Sequence, residues 1–568
     1  MFKKDSQNLS KEKLLAEIER LKKELKRRKK YGLGWEEKSE EVVEMCKEKL
    51  PVLKEVKNKE IITGKNKPVN LLIEGDNYHV LSVLNYTHAQ KVDVIYIDPP
   101  YNTGNKDFIF NDRYVDREDA YRHSKWLAFM EKRLRLAKNL LKDTGVIFIS
   151  IDDNEKSQLK LLCDHIFGEN NFVDEITEKT SSINAFKIYG NKPVRIKDYL
   201  LIYARNSNKY IYNRIYTEKQ GKWDSHFNLF YDRENNKITK LQPILRRHGF
   251  LQKKEKLNSL DIKDQKIKKF YLKYQNNICQ TGAYKDSPEK RKSLRKRGEV
   301  VIFNSKNGKK IYLYNGRMLS FLSSSTRVIN GGESEAIALA LSNIWDDIDY
   351  NNIQNESPIV LPNGQKPIKL IERIIKIHPP KRDFLILDFF AGSGTTGHAV
   401  LDLNSKDNGN RRFILCTNDD EKICSDICYP RIRKVISGFR QKKGLDGNLK
   451  YFKTDFVGYD EPTDKNKIKL TEQATEMLCV KEGTFEKFLD QKSFKIFKNT
   501  NHYTGIIFDQ AAIPAFKKAI KEMKGKFSVY VFSLGDETFD DEFKDVKQNV
   551  QLSPIPEAIL RVYRRIFK

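Results

Sequence analysis

The chain has 568 residues, a length that suggests about four domains and allows a large buried core. Its 105 Lys and Arg against 77 Asp and Glu leave a net charge of +28, which points to a polyanionic partner, nucleic acid ahead of an anionic membrane surface. No apolar run reaches the roughly eighteen residues of a membrane span, and seven cysteines at irregular spacings do not make a disulfide framework.

The first residues run into charged sequence without the apolar stretch of an export signal, so a cytoplasmic location is expected. Residues 9–30 read as a helical arm with Leu14, Ile18, Leu21 and Leu25 on one face, closed by five consecutive cations at 26–30. Two heptads suit a packed arm and a dimer seam equally. A strand at 71–73 leads through Gly75-Asp76-Asn77 into a helix over 78–84, with Asp76 placed as a turn former or N-cap.

Residues 92–97, Val-Asp-Val-Ile-Tyr-Ile, form the strongest strand signal of the chain, and Asp98-Pro99-Pro100-Tyr101 follows directly. A proline pair cannot continue a ladder, so Asp98 falls at a strand's carboxyl end, the edge where open α/β sheets bind ligands. The residue types there suit one kind of chemistry. The amine of a nucleobase is a poor nucleophile because its lone pair is delocalised into the ring; an Asp and a backbone carbonyl held at fixed angles can take both N–H bonds and free that pair. Tyr101 offers a flat face for a base taken out of the helix, replacing stacking worth a few kcal/mol. Taken locally, the tripeptide is a strand-ending turn with an N-capping Asp; the strand before it and the aromatic after it favour a site.

The loop at 105–119 carries Phe108, Phe110 and Tyr114 and is expected to anchor on the surface or to close over substrate. A helix over 124–141 aligns Trp126, Met130, Leu134, Ala137 and Leu141, with Gly145 as its C-cap. A strand at 146–151 then meets Asp152-Asp153-Asn154-Glu155, which fits a capping box for the next helix. Beyond a strand at 198–203 the composition changes. Residues 207–310 hold 27 Lys and Arg against 10 Asp and Glu, so +17 of the net charge is concentrated in one interval, interleaved with aromatics such as Trp223, Phe227, Phe230 and Tyr231.

From about residue 344 to 435 α/β character returns. Lys366-Pro367 opens a helix-like run, and a strand over 384–390 enters Ala391-Gly392-Ser393-Gly394-Thr395-Thr396-Gly397 before a helix. These glycines also fit a dinucleotide loop, and the strand at 413–417 ends in Asn418-Asp419-Asp420, about where a ribose-binding polar group belongs. Cys416, Cys424 and Cys428 cluster without a CxxC pair and read as buried thiols, so no metal is expected. After residue 450, helix and strand signals at 468–477, 494–497, 505–508, 513–523 and 527–532 suit a small α/β domain, and 561–567 can form an amphipathic helix.

Asp98-Pro99-Pro100-Tyr101 and the Phe390, Gly392, Gly394 spacing resemble the DPPY and FxGxG motifs of S-adenosylmethionine-dependent amino-methyltransferases that act on DNA. In that family the FxGxG loop binds the methionine part of the cofactor and the DPPY loop holds the target amine. DPPY ahead of FxGxG is similar to the permuted β class, and Asp with Tyr in DPPY is the form usual in N6-adenine enzymes, where N4-cytosine enzymes more often carry Ser. Ile73-Glu74-Gly75-Asp76-Asn77, the segment 150–155 and Lys366-Pro367-Ile368-Lys369-Leu370-Ile371 extend the likeness to the modification subunit of a type III restriction-modification system.

The resemblance implies an α/β, Rossmann-like permuted methyltransferase core with an inserted target recognition domain. The expected division is a helical arm at 1–60, a catalytic half at 61–206, target recognition at 207–345, a cofactor half at 346–450 and a dimerisation or partner-binding domain at 451–568. Catalysis falls to Asp98, Pro99, Pro100 and Tyr101. S-adenosylmethionine falls to Asp388, Phe390, Gly392, Gly394, Thr395, Asn418, Asp76, Lys366 and Pro367. The implied partners are double-stranded DNA, a second copy of the chain, and a restriction subunit with ATP-driven translocation and nuclease activity, since no G-x-x-x-x-G-K-[ST] loop is present. An N4-cytosine enzyme, a specificity subunit without turnover and a nicotinamide oxidoreductase are the alternatives.

Overall fold

The computed structural model describes residues 35–567 except 37, 66, 182–192, 306, 330–333, 352, 358, 360–363, 380, 440, 460–462, 536 and 547. The arm expected at 9–30 and its cations lie outside the described residues. Two compact units form, one running up to Ile211 and resuming at Asn343, the other Tyr212–Ser342.

The first unit is built on a ten-stranded sheet. In chain order its strands are β1 (Lys49–Glu55), β2 (Val69–Glu74), β3 (Val92–Ile97), β4 (Leu141–Ile151), β5 (Phe172–Lys179), β6 (Lys197–Ala204), β7 (Ile344–Trp345), β8 (Leu385–Asp388), β9 (Arg412–Thr417) and β10 (Asn448–Gly458). Their spatial order is β1-β10-β2-β9-β8-β3-β4-β6-β5-β7. From β10 to β4 every pairing is parallel. Strands buried on both faces need continuous apolar runs, and β3 is buried at all six positions. The helices that bear on the site are α1 (Asn77–Thr87), α2 (Arg122–Leu140), α3 (Lys156–Phe167), α4 (Ile368–Ile377), α5 (Thr395–Asp407) and α6 (Tyr429–Ser437).

Three local expectations are corrected. Helix α2 ends at Leu140, and Gly145 lies inside β4, where a Cβ would stand 2.9 Å from the Lys142 carbonyl and 3.1 Å from that of Val92; close backbone approach, and not a left-handed cap, requires the glycine. No capping box forms at α3. Glu155 stands at the N-cap position without a side-chain cap bond and is fully buried, while Asp152 accepts from the Asn154 N–H at 2.8 Å. The boundaries at 60 and 450 also miss the fold, because β1 pairs with β10 and β10 runs through residue 450 between β1 and β2.

After β10 a second sheet, β11 (Glu486–Asp490), β12 (Phe494–Lys498), β13 (His502–Ile507), β14 (Lys526–Phe532) and β15 (Asn549–Ile555), runs in sequence order. Part of its core is shared with the large sheet, Met477, Leu478, Ile506 and Tyr563 packing in one cluster with Leu53, Val80 and Leu84, while Phe494, Ile507, Phe516 and Val529 form a core of its own. Tyr563 Oη donates to the Pro51 carbonyl at 2.5 Å. The unit Tyr212–Ser342 has its own six-stranded antiparallel sheet. Trp223, Phe227 and Tyr231 are buried in its cores, so the aromatics among its cations hold the unit together. All seven cysteines are buried and free.

Candidate active site

The site begins with the pairing of β3 and β8, in which Ile386 aligns with Val94 and Leu387 with Ile95. The Asp93 carboxylate reinforces it by accepting from the Leu385 N–H at 3.0 Å, 292 residues along the chain. The carboxyl ends of the two strands therefore sit side by side, Asp98 after β3 and Asp388 closing β8.

Behind β3 the loop is pinned at Asp98, Pro100, Tyr101 and Asn102. Tyr101 Oη donates to Asp98 Oδ1 at 2.9 Å. Lys366 Nζ donates to Tyr101 Oη at 2.6 Å and lies 3.2 Å from Asp98 Oδ1. Trp126, fully buried on α2, donates from Nε1 to the Pro100 carbonyl at 2.7 Å. Asn102 turns the chain through the left-handed region with φ +56, and its Nδ2 donates to the Arg122 carbonyl at 3.3 Å and to Glu155 Oε1 at 2.5 Å. Lys366, assigned from sequence to the cofactor, is thus placed on the Asp98–Tyr101 loop. Pro367 occupies the N-cap position of α4 with an extended ψ, a helix-starting role.

Lys366 serves several acids. Burial works against its charge, but Asp98, Asp198 and Glu178 outweigh burial and hold the ammonium above its ordinary range. Burial lifts Asp198 to about 6, opposed by Lys366, and lifts Glu178 to about 7, opposed by the hydrogen bond from Tyr350 and then by Lys366. Burial, followed by Asp98, puts the Tyr101 phenol well above its usual value.

In the glycine loop Gly392 (φ +48) and Gly394 (φ +77) are left-handed. A Cβ on Gly392 would meet only the Phe390 carbonyl at 3.9 Å, which leaves space for a ligand. One on Gly394 would stand 3.0 Å from Cys428 Sγ, and one on Gly397 2.8 Å from Ile432 Cδ1, so these two glycines serve packing of α5 on α6. Asp388 is engaged by the loop itself: Oδ1 accepts from the Phe390 N–H at 3.0 Å and Oδ2 from Thr396 Oγ1 at 2.5 Å. Burial raises it to about 7, and Asp98 adds to the shift. Thr395 is buried, its hydroxyl accepting from Arg431 Nη1 at 2.9 Å, and Phe390 packs on Phe129. Asp76 caps α1, accepting from the Tyr78 N–H at 2.7 Å, and its other oxygen lies 3.4 Å from Arg133 Nη2. Asn418 is exposed and donates to Asp420.

Two supports were not legible in sequence. Arg133 is buried on α2; it donates to both oxygens of Glu40, at 2.6 and 3.0 Å, and to Asn77. Asn77 in turn donates to the Phe389 carbonyl at 3.2 Å, tying the end of β2 to the glycine loop. Arg431, buried on α6, donates to Ser393 Oγ at 2.8 Å. Both arginines lie on amphipathic helices among other cations, where only the fold separates a buried one from a solvated one.

The family model for DNA methylases, N6_N4_Mtase, matches residues 92–277 and 222–461, which takes in both motifs. The EcoPI Mod subunit of a type III restriction-modification enzyme from Escherichia phage P1 is 33% identical over 394 residues, covering 62% of this chain and 58% of that protein. The probable HindVI Mod subunit of Haemophilus influenzae is 27% identical over 519 residues, covering 83% of this chain and 65% of its own length. The chain thus spans less than two thirds of these relatives. The type II methyltransferase M.KpnI of Klebsiella pneumoniae is 30% identical over 416 residues, 68% of this chain and 88% of that protein. With both motifs inside the matched residues and their strands paired in one sheet, the chain belongs to the N6/N4 DNA methylase family.

Proposed function

We propose that the chain moves a methyl group from S-adenosylmethionine to adenine N6 in double-stranded DNA, as the modification subunit of a type III restriction-modification system. The observation that carries the reading is the pairing of β3 with β8, which sets the Asp98 loop beside the glycine loop. When bound, S-adenosylmethionine supplies an electrophilic methyl group on a sulfonium centre. The residues present fit it: space lies open over Gly392, and the acids Asp76, Asp388 and Asp420 suit a cation.

Asp98 accepts one N–H of the target amine. Trp126 holds the Pro100 carbonyl, which leaves the carbonyl of Pro99 for the other N–H. Between two acceptors the nitrogen lone pair turns out of the ring plane and towards the methyl group. Tyr101 stacks on the extruded base, and Lys366 fixes both Asp98 and Tyr101 from behind. The Asp at the first motif position favours adenine over cytosine.

The basic unit Tyr212–Ser342 is assigned the reading of the target. It carries a cleft of about 530 Å³ lined in part by Asn228, Lys240, Gln242, Lys256 and Asn258, side chains suited to base edges and phosphates. The names of the relatives favour a restriction subunit as partner, and the sheet β11–β15 is the surface assigned to it or to a second copy. Calorimetry tests the cofactor: S-adenosylmethionine should bind and NAD should not, and the reverse would overturn the reading.

A further inference from the structure

Glu155 stands at the N-cap position of α3, its side chain fully out of solvent, and its Oε1 accepts from Asn102 Nδ2 at 2.5 Å and bonds His123 Nδ1 at 2.6 Å. Arg122 Nε donates to His123 Nε2 at 3.2 Å, so a neutral His123 ring carries its proton on Nδ1 and gives it to Glu155. Two atoms of this group, Glu155 Oε2 and Asn102 Oδ1, are buried without a hydrogen-bond partner. Asn102 directly follows Tyr101 and is itself left-handed, so a hold on its side chain restrains the backbone that carries Tyr101.

We propose that Glu155 is a positioning residue for methyl transfer, holding Asn102 and through it the ring of Tyr101 in the orientation that receives the extruded base. The proposal rests on the assignment of residues 98–101 as the base-holding loop. Glu155 acts as the neutral acid. Burial raises its carboxyl to about 8, against the hydrogen bond from Asn102 and the charge of Arg122, while Asp152 adds to the rise. Arg122, His123 and Asp152 are the titratable groups that face it, and His123 is held below its ordinary value by burial and then by Arg122.

The test uses the full chain, DNA carrying 2-aminopurine at the methylated position, and single-turnover methyl transfer. Glu155→Ala should slow transfer by about a hundredfold, as expected for a small misplacement of reacting groups, and should weaken the 2-aminopurine fluorescence rise while S-adenosylmethionine affinity is kept. Glu155→Gln, close to a copy of the neutral acid, should recover most of the lost rate and remove the fall in rate that the wild type should show as pH rises through about 8. Asn102→Gly keeps the left-handed backbone, loses the amide and should repeat the alanine result even if Glu155→Ala does not fold. Near-normal rates in Glu155→Ala or Asn102→Gly, or a Glu155→Gln variant as slow as the alanine, would overturn the proposal. Failure of the underlying site assignment shows differently, as an Asp98→Ala variant that keeps turnover.

Discussion

At the residue scale, the groups proposed to hold the amine are distinct from those proposed to hold the cofactor. Asp98→Ala should abolish methyl transfer and leave S-adenosylmethionine binding nearly intact by calorimetry, because the deleted carboxylate touches Tyr101 and Lys366 and no part of the glycine loop. Lys366→Ala should cut turnover with little change in cofactor affinity, since its ammonium rests on the catalytic loop; a loss of cofactor affinity alone would return Lys366 to the role the sequence suggested. Buried acids also set a pH dependence. Glu155 is held up at about 8 and Glu178 at about 7, so the folded chain keeps protons that the unfolded chain has released. Stability must then fall as pH rises from the ordinary carboxylate range up to about 8. The buried histidines act the other way, and only below the ordinary histidine range, His88 and His398 being pushed by burial to about 3. Urea denaturation at pH 7 and 9 should give the lower stability at pH 9; a rise would contradict the assigned burial of these acids.

At the element scale, close packing behind the glycine loop gives a direct check. A Cβ on Gly397 would stand 3.0 Å from Leu415 Cδ1 and 3.2 Å from Phe413 Cζ as well as against Ile432, so Gly397→Val should destabilise the fold by about 1–3 kcal/mol in urea titrations. The strands β3, β8 and β9 were legible because apolar runs stopped by proline, glycine or acid are local signals, and both motifs sit where those runs end. Other features were not legible because they depend on partners distant in sequence. Asp152 to Glu155 satisfies the local rule for a capping box, yet Glu155 is buried under Asn102 and His123, a fact set by α2 and the catalytic loop. Gly145 reads as a helix stop, yet the Val92 carbonyl is what excludes a side chain there. The family resemblance assigned residues 366 and 367 to the cofactor, whereas the loop before α4 delivers Lys366 to Asp98.

At the scale of the whole molecule, one sheet is assembled from both sides of an inserted basic unit, and the last hundred residues share its core. A chain cut after residue 450 loses most of β10 from between β1 and β2 and should fail to fold, which circular dichroism would show; a soluble, active fragment would contradict this. Within the basic unit, Lys292, Arg295 and Arg297 are exposed. Neutralising all three should weaken binding to all DNA alike, flattening the salt dependence by up to about 0.9 log units for each phosphate no longer neutralised, while the methylated sequence stays the same. Exchange of the whole unit Tyr212–Ser342 for that of a related enzyme should change the methylated sequence and leave cofactor affinity alone. The central claim, that Asp98 activates adenine N6 for methyl transfer, is tested most directly by single-molecule sequencing of DNA from cells expressing the wild-type chain or Asp98→Ala. The wild type should leave N6-methyladenine at one defined sequence and the variant none; N4-methylcytosine, or the same methyladenine pattern from both, would contradict it.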